Sequence, residues 1–316
     1  MTTRAHARPL AMRRTGAVLL GVIAVVALLA PWIAPNPPDR RFPNLLYAPP
    51  TPVHAFDAHG VAPHAHALRI VSRIERSFEE EPASRGPMLL LGADAYGRDI
   101  FSRLLYGART TLGLAVCATL AATLLGALVG GIAGYASGWL DAVLARLSEF
   151  VLVLPAIYVA LALRAVMPLV LAASTVFTLL LAIFALLGWP MVARGVRAIV
   201  ASEREREYVI AARAAGASAS RVLLRHLLPA AAGYLRMQAT LLLPAFILAE
   251  ATLSYIGLGF PDTTPTWGTM LQEAANVALL GDAPWTLAPA AAIFFVVLSV
   301  NLFVQGTGRP PIQLER

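Results

Sequence analysis

From Thr15 to Ala34 the chain runs without a single charged side chain, and the pair Arg13-Arg14 stands immediately before it. A spanning helix needs about 20 mostly apolar residues, and backbone in hydrocarbon must pair its own polar groups. This run therefore predicts a membrane helix. It is long for the apolar region of a signal peptide, about 7–15 residues, so a retained span is expected rather than a cleaved leader. Five more predominantly apolar stretches follow, at Thr110–Tyr135, Leu140–Val166, Met167–Trp189, Tyr234–Leu258 and Thr286–Gly306. With 58% hydrophobic and 14% charged residues, the chain lies far from the soluble average of about 25% charged. Disordered, collagen-like and disulfide-scaffold classes are excluded. The fold class expected is all-α, a polytopic membrane protein with six transmembrane helices.

Every one of the 25 basic residues is Arg. They flank the apolar runs rather than forming one patch, so they read as determinants of orientation and not as a nucleic-acid surface. Residues 191–233 hold Arg194, Arg197, Arg204, Arg206, Arg213, Arg221 and Arg225, whereas Gly259–Trp285 holds none. The positive-inside rule then puts residues 191–233 in the cytoplasm, with both termini on that side. The predicted organisation is a cytoplasmic N-terminus and first span at 1–34 and an extracytoplasmic loop at 35–109. A transmembrane core at 110–306 and a cytoplasmic tail at 307–316 complete it. The localisation implied is the cytoplasmic membrane. Cys117, the single cysteine, lies in an apolar run and reads as a packing residue.

No nucleophile elbow, Walker A loop or metal-binding helix motif is present, so no catalytic residue is expected. The richest segment is Glu203 to Pro229. On a helix, Tyr208, Ala211, Ala212 and Ala215 share one small, flat face. Gly216 reads as a C-cap, Ser218 or Ser220 as the next N-cap, and Val222, Leu223 and Leu227 as the apolar side of a second helix. Two roles fit such a hairpin: docking onto a partner, or lying on anionic lipid.

The same segment resembles the "EAA" loop of binding-protein-dependent ABC importer permeases, with Ala211, Ala212, Gly216, Leu228 and Pro229 at the matching positions. Ile210 stands where that motif has glutamate, and Glu207 lies three residues earlier. The stretch Leu91 to Leu112, with Gly92, Asp94, Gly97, Arg98, Asp99, Arg103, Gly107 and Arg109, is similar to a signature of the C-type permease subunits of dipeptide, oligopeptide and nickel importers. Ala249–Phe260 followed by Pro265-Thr-Trp-Gly268 resembles the end of the fifth span in that branch. The likeness covers about Arg14 to Asn301, while Val304 to Arg309 departs from the family ending.

That resemblance implies a type I ABC importer permease fold. It also implies a second homologous permease subunit, two ATP-binding subunits that carry ATP and Mg, an extracytoplasmic solute-binding protein and surrounding lipid as partners. Glu207, Tyr208, Ala211, Ala212, Arg213 and Gly216 would couple to an ATP-binding subunit. The implied task is inward movement of di- or oligopeptides by alternating access; nickel or another small solute is the alternative cargo. The chain itself would hold no cofactor, metal or nucleic acid and catalyse nothing.

Glu250 lies deep in an apolar run, where an ionisable group is costly. It reads either as a pathway or gating residue or as a hydrogen-bond anchor. Glu149, three residues after Arg146, reads as a paired carboxylate. A proton-coupled transporter using Glu250 or Glu149, or a lipid-bound scaffold, are the rival functions. Asp94 with Arg98 and Asp99 with Arg103 have the spacing of a short charge-paired helix. Leu68, Val71, Ile74 and Phe78 likewise have helical spacing inside the long loop. His54, His59, His64 and His66 lack a frame for metal binding and read as solvated.

Overall fold

The computed structural model describes residues 3–51, 53–54, 64–65, 68–72, 77–80, 87–155, 157–159, 161–162, 171–275 and 281–305. The chain begins with α1 (Thr3–Leu28) and the short α2 (Ala30–Ile33). Two antiparallel strand pairs come next, β1 (Val53–His54) with β2 (His64–Ala65) and β3 (Leu68–Ser72) with β4 (Ser77–Glu80). Helices α3 (Ile100–Ala136), α4 (Gly138–Val153) and α5 (Ala173–Glu203) follow, then α6 (Glu207–Ala214) and α7 (Ala219–Val222). The last three are α8 (Ala232–Tyr255), α9 (Trp267–Glu273) and α10 (Ala288–Gln305).

Among the described residues, five helices are long and apolar enough to cross a membrane: Ala11–Leu28, Ile100–Ala136, Ala173–Glu203, Ala232–Tyr255 and Pro284–Val304. The all-α class expected for the membrane core holds. The third predicted span is represented by α4, which ends at Leu154 in extended backbone (φ −72°, ψ 118°). Pro155 explains the break, because its ring disfavours α geometry in the residue before it. The predicted boundary at Val166–Met167 lies outside the described residues.

Three other expectations are corrected. The Leu68–Phe78 periodicity is not helical: β3 and β4 pair in antiparallel register, Ile70 opposite Phe78. Arg69-Ile70-Val71 and Phe78 include the β-branched and aromatic types that favour pleated backbone. The Leu91–Asp99 segment is a turn closed by a bridge between Ala93 and Asp99, not a short helix, with Gly92 and Gly97 at φ +75° and +71°. Cys117 is exposed on α3 rather than packed.

The chain divides into two compact units, Met1–Gly113 with Glu250–Arg316, and Leu114–Ala249. In the first, α1 packs along α10, and the Arg13 guanidinium lies 5.7 Å from the centre of the Phe303 ring. Leu45, Ala48, Leu89 and Ala93 form a separate small core, flanked by Phe42.

In the second unit, Gly126, Gly130 and Gly134 recur every fourth residue on α3 and face α5. A Cβ on Gly134 would stand 2.6 Å from the Arg197 carbonyl oxygen. One on Gly130 would collide with the Ala193 carbonyl, and one on Gly126 with Val192. Opposite them, Val192, Val196 and Val200 are fully buried at four-residue spacing. Small residues let helix backbones approach where lipid offers no hydrophobic drive, so this stripe sets the α3–α5 distance. The valine row also carries α5 as one helix past Trp189, well into the basic stretch 191–233 that the sequence places outside the spans. Phe184 and Phe246 stack with centroids 5.2 Å apart, and Gly188 leaves the room their rings need.

Replacing Gly130 by Leu forces α3 from α5 and should cost about 1–3 kcal/mol, as overpacking does. Melting of the detergent-purified protein checks this, with Gly21→Leu as the neutral control because no atom lies within 4 Å of its Cβ position.

Candidate functional site

The segment from Glu203 to Pro229 is a helix, a glycine turn and a second helix, as its sequence predicts. Gly216 has φ +83°, which only glycine adopts without strain. This lets Ala217 N–H reach the Ala212 carbonyl at 3.0 Å and Gly216 N–H the Arg213 carbonyl at 2.9 Å, closing α6. Ser218 occupies the N-cap of α7, but its hydroxyl lies 3.3 Å from that of Ser220 instead of bonding the helix backbone. After α7, Leu223–Leu227 form a π-helical turn, and Pro229, which has no N–H, follows in the helical turn Leu228–Ala230.

On α6 only Val209 is fully buried, while Glu207, Tyr208, Ala211 and Ala215 are exposed and Ala212 is half-buried. The helix therefore rests on Val209 and leaves its small-residue face open. Tyr208 Oη donates to Glu203 Oε2 at 2.8 Å, tying α6 to the end of α5. Arg213 turns to another side, its guanidinium 4.9 Å from the centre of the Tyr135 ring. Arg204 Nη1 donates to the carbonyls of Gly134 and Tyr135, each at 3.3 Å. Arg197 forms a two-point pair with Asp141, Nη2 to Oδ2 being 2.7 Å.

In the other unit, the family-motif residues form a buried ionic cluster. Arg98 Nε donates to Asp94 Oδ2 at 2.7 Å, its Nη2 to Glu273 Oε1 at 2.5 Å and its Nη1 to the Asp262 carbonyl at 3.1 Å. Arg103, fully buried, donates to Glu273 at 3.3 Å and lies 3.6 Å from Asp94. Tyr96 is held between Arg98 and Arg41, at 4.5 and 5.2 Å from its ring centre. The predicted Asp94–Arg98 pair thus exists, made through a turn. The Asp99–Arg103 pair does not: Asp99 instead accepts from Asn36 Nδ2 (3.0 Å), Ser102 Oγ (2.6 Å) and Phe101 N–H (3.1 Å) at the start of α3. Gly107 admits Trp267 beside α3, and Arg109 is exposed. Burial, reinforced by Asp94 and opposed by Arg103 and Arg98, pushes the Glu273 carboxyl up to about 7.

Glu250 is fully buried and surrounded by hydroxyls. Ser254 Oγ donates to Oε1 at 2.8 Å and Thr111 Oγ1 to Oε2 at 3.0 Å. Thr111 accepts in turn from Trp267 N–H at 3.2 Å, and Ser254 from Phe260 N–H at 3.4 Å. These bonds join α3, α8 and α9 through Glu250. Glu149 pairs with Arg146 at 2.9 Å, both exposed, a contact of little energetic weight.

The bonds of each unit use residues to which sequence reasoning gave no such role: Asn36, Thr111, Trp267 and Glu273 in the first unit; within the second, Tyr135 and Asp141, with Arg197 and Arg204, which had been read only as determinants of orientation. Only Glu273 carried a usable signal, as an acid in a loop without Arg. His54 and His64 are register partners across β1 and β2, and His59 and His66 lie outside the described residues. Among the described residues no group of three His, Cys, Asp or Glu could hold a metal ion.

Residues 122–307 match the family described as binding-protein-dependent transport system inner membrane component. Residues 7–50 match the N-terminal TM domain of oligopeptide transport permease C. The glutathione transport system permease protein of Shigella flexneri is 35% identical over 298 residues, 93% of this chain and 84% of its own length. Its namesake in Escherichia coli is 33% identical over the same shares. The dipeptide transport system permease protein of Alkalihalophilus pseudofirmus is 36% identical over 233 residues, 72% of this chain and 74% of its own.

Two outcomes follow for stability. Glu250→Leu strands the Ser254 and Thr111 hydroxyls in a buried site at about 1–3 kcal/mol each, whereas Glu250→Gln keeps an acceptor and should fall well short of that loss; thermal unfolding in detergent separates them. Glu273 binds its proton more tightly in the folded chain than at its ordinary value of 4.5. Its contribution is therefore complete below about 4.5 and lost as pH rises through about 7. Melting temperatures across that window should fall in wild type and flatten in Glu273→Gln.

Proposed function

The chain belongs to the family of binding-protein-dependent transport system inner membrane components, in its peptide-permease branch, and on that premise we propose that it carries di- or oligopeptides inward, driven by ATP-binding subunits that dock on α6. It is a membrane permease subunit of an ABC importer. The observation that carries the coupling part is the state of α6: a helix closed at its C-terminus by the Gly216 turn and seated by Val209, whose Tyr208, Ala211 and Ala215 side is open. A flat face of small side chains with one tyrosine suits insertion into a cleft, since it allows close approach with little side-chain entropy to lose.

Orientation follows from charge. The Arg-rich α5–α7 stretch faces the cytoplasm, and the Arg-free α8–α10 connection faces outward, which places both termini inside. The full importer would contain a second, similar permease subunit, two ATP-binding subunits holding ATP and Mg, and an extracytoplasmic solute-binding protein. ATP hydrolysis is then the work of the partners, and alternating access the work of the spans. The peptide cargo rests on relatives named for dipeptide and glutathione transport. The ionic cluster around Arg98 would stiffen the outer face on which the binding protein delivers its load.

Copurification of the tagged chain from its own host in mild detergent tests this. An ATP-binding subunit should accompany wild type and be lost from Gly216→Pro combined with Ala212→Glu, which breaks the φ +83° turn and charges the docking face. A wild-type preparation that retains lipid but brings down no ATPase would refute the proposal.

A further inference from the structure

We propose that Tyr135 is the positioning residue through which the coupling helix moves α3, a reading that rests on the docking of ATP-binding subunits at α6. Helix α6 is joined to α5 by only Arg204, Glu205 and Arg206, so α5 follows it through the chain itself. No such link joins α6 to α3. Contact between them is made by Arg213, one turn beyond the buried Val209, whose guanidinium covers the Tyr135 ring at 4.9 Å. A cation over an aromatic face is attracted by the ring quadrupole, and the attraction tolerates small sliding of the two planes.

The backbone of the same residue is held from the α5–α6 junction. Arg204 Nη1 bonds the Gly134 and Tyr135 carbonyls at 3.3 Å, at the negative end of the α3 dipole. Arg204 is itself steadied by Glu205 at 2.9 Å. Gly134 itself brings α3 against the Arg197 carbonyl, and Arg197 grips Asp141 at the start of α4. Ring and carbonyl of Tyr135 are thus clasped by two arginines, one on α6 and one just before it. Arg213 belongs to this inner clasp, while Tyr208, Ala211 and Ala215 keep the other face of α6 free.

The test uses the complex with its ATP-binding subunits in nanodiscs, with Cys117→Ser and Leu128→Cys carrying a bimane label on the exposed side of α3. In wild type, ATP with vanadate should change bimane emission. Tyr135→Ala should keep ATP hydrolysis within twofold and cut that change at least threefold, while Tyr135→Phe, which retains a ring, should keep it. Arg204→Gln removes the clasp on the Tyr135 carbonyl and should cut the emission change in the same way even where Tyr135→Ala folds poorly. An undiminished emission change in both variants overturns the proposal. So does a parallel fall in hydrolysis or in copurified ATPase, which would make Tyr135 part of docking. Failure of wild type to bring down an ATPase is a separate result, and removes the underlying reading.

Discussion

Hydrocarbon offers no partner to a backbone N–H or C=O, and each group left unpaired there costs several kcal/mol. Helix is the form in which a single chain meets that demand, and the five described segments long and apolar enough to span all take it. Removing water also removes the force that drives soluble helices together, so contact must come from shape and polar bonds. The two units meet this differently. In Leu114–Ala249 the solution is steric, a row of glycines against a row of valines. In Met1–Gly113 with Glu250–Arg316 it is polar: buried carboxylates each held by several donors.

These polar sites have a common logic. A buried charge is tolerable when its partners are in place, and expensive when one is removed. Arg98 meets two carboxylates and a carbonyl, and Glu250 meets hydroxyls whose own oxygens accept backbone N–H bonds. Because Thr111 has one proton to give, its acceptance from Trp267 and donation to Glu250 fix the direction of the relay. Such an arrangement is a frame that sets where α9 lies on α3.

How much of this was readable beforehand depended on sequence separation. Five of the six spans, the α6–Gly216–α7 turn and the Arg146–Glu149 pair are local patterns that the described residues show, and α4 stands where the third span was expected. The Leu91–Asp99 stretch showed the correct residues but the wrong geometry, because four-residue charge spacing is shared by helices and by turns made with positive-φ glycines. Arg98 finds Glu273 across 175 residues, and Arg197 finds Asp141 across 56. No periodicity reports such pairs. Helix α5 runs on through its basic end because charge marks the edge of a membrane, not the end of a helix; Val192, Val196 and Val200 keep their spacing across it.

The π-helical turn at Leu223–Leu227 takes in one residue more than an α-helical turn would. Since each residue advances an α-helix by about 100°, side chains before and after it are out of phase by roughly that angle. Val222, buried before the turn, therefore sets no face for what comes after Leu227. The connector behaves as an angular adapter: α7 before it and the long helix α8 after it can each choose the rotation their own neighbours require. A chain built this way can change the lining of its spans over time without re-aiming the face that α6 presents.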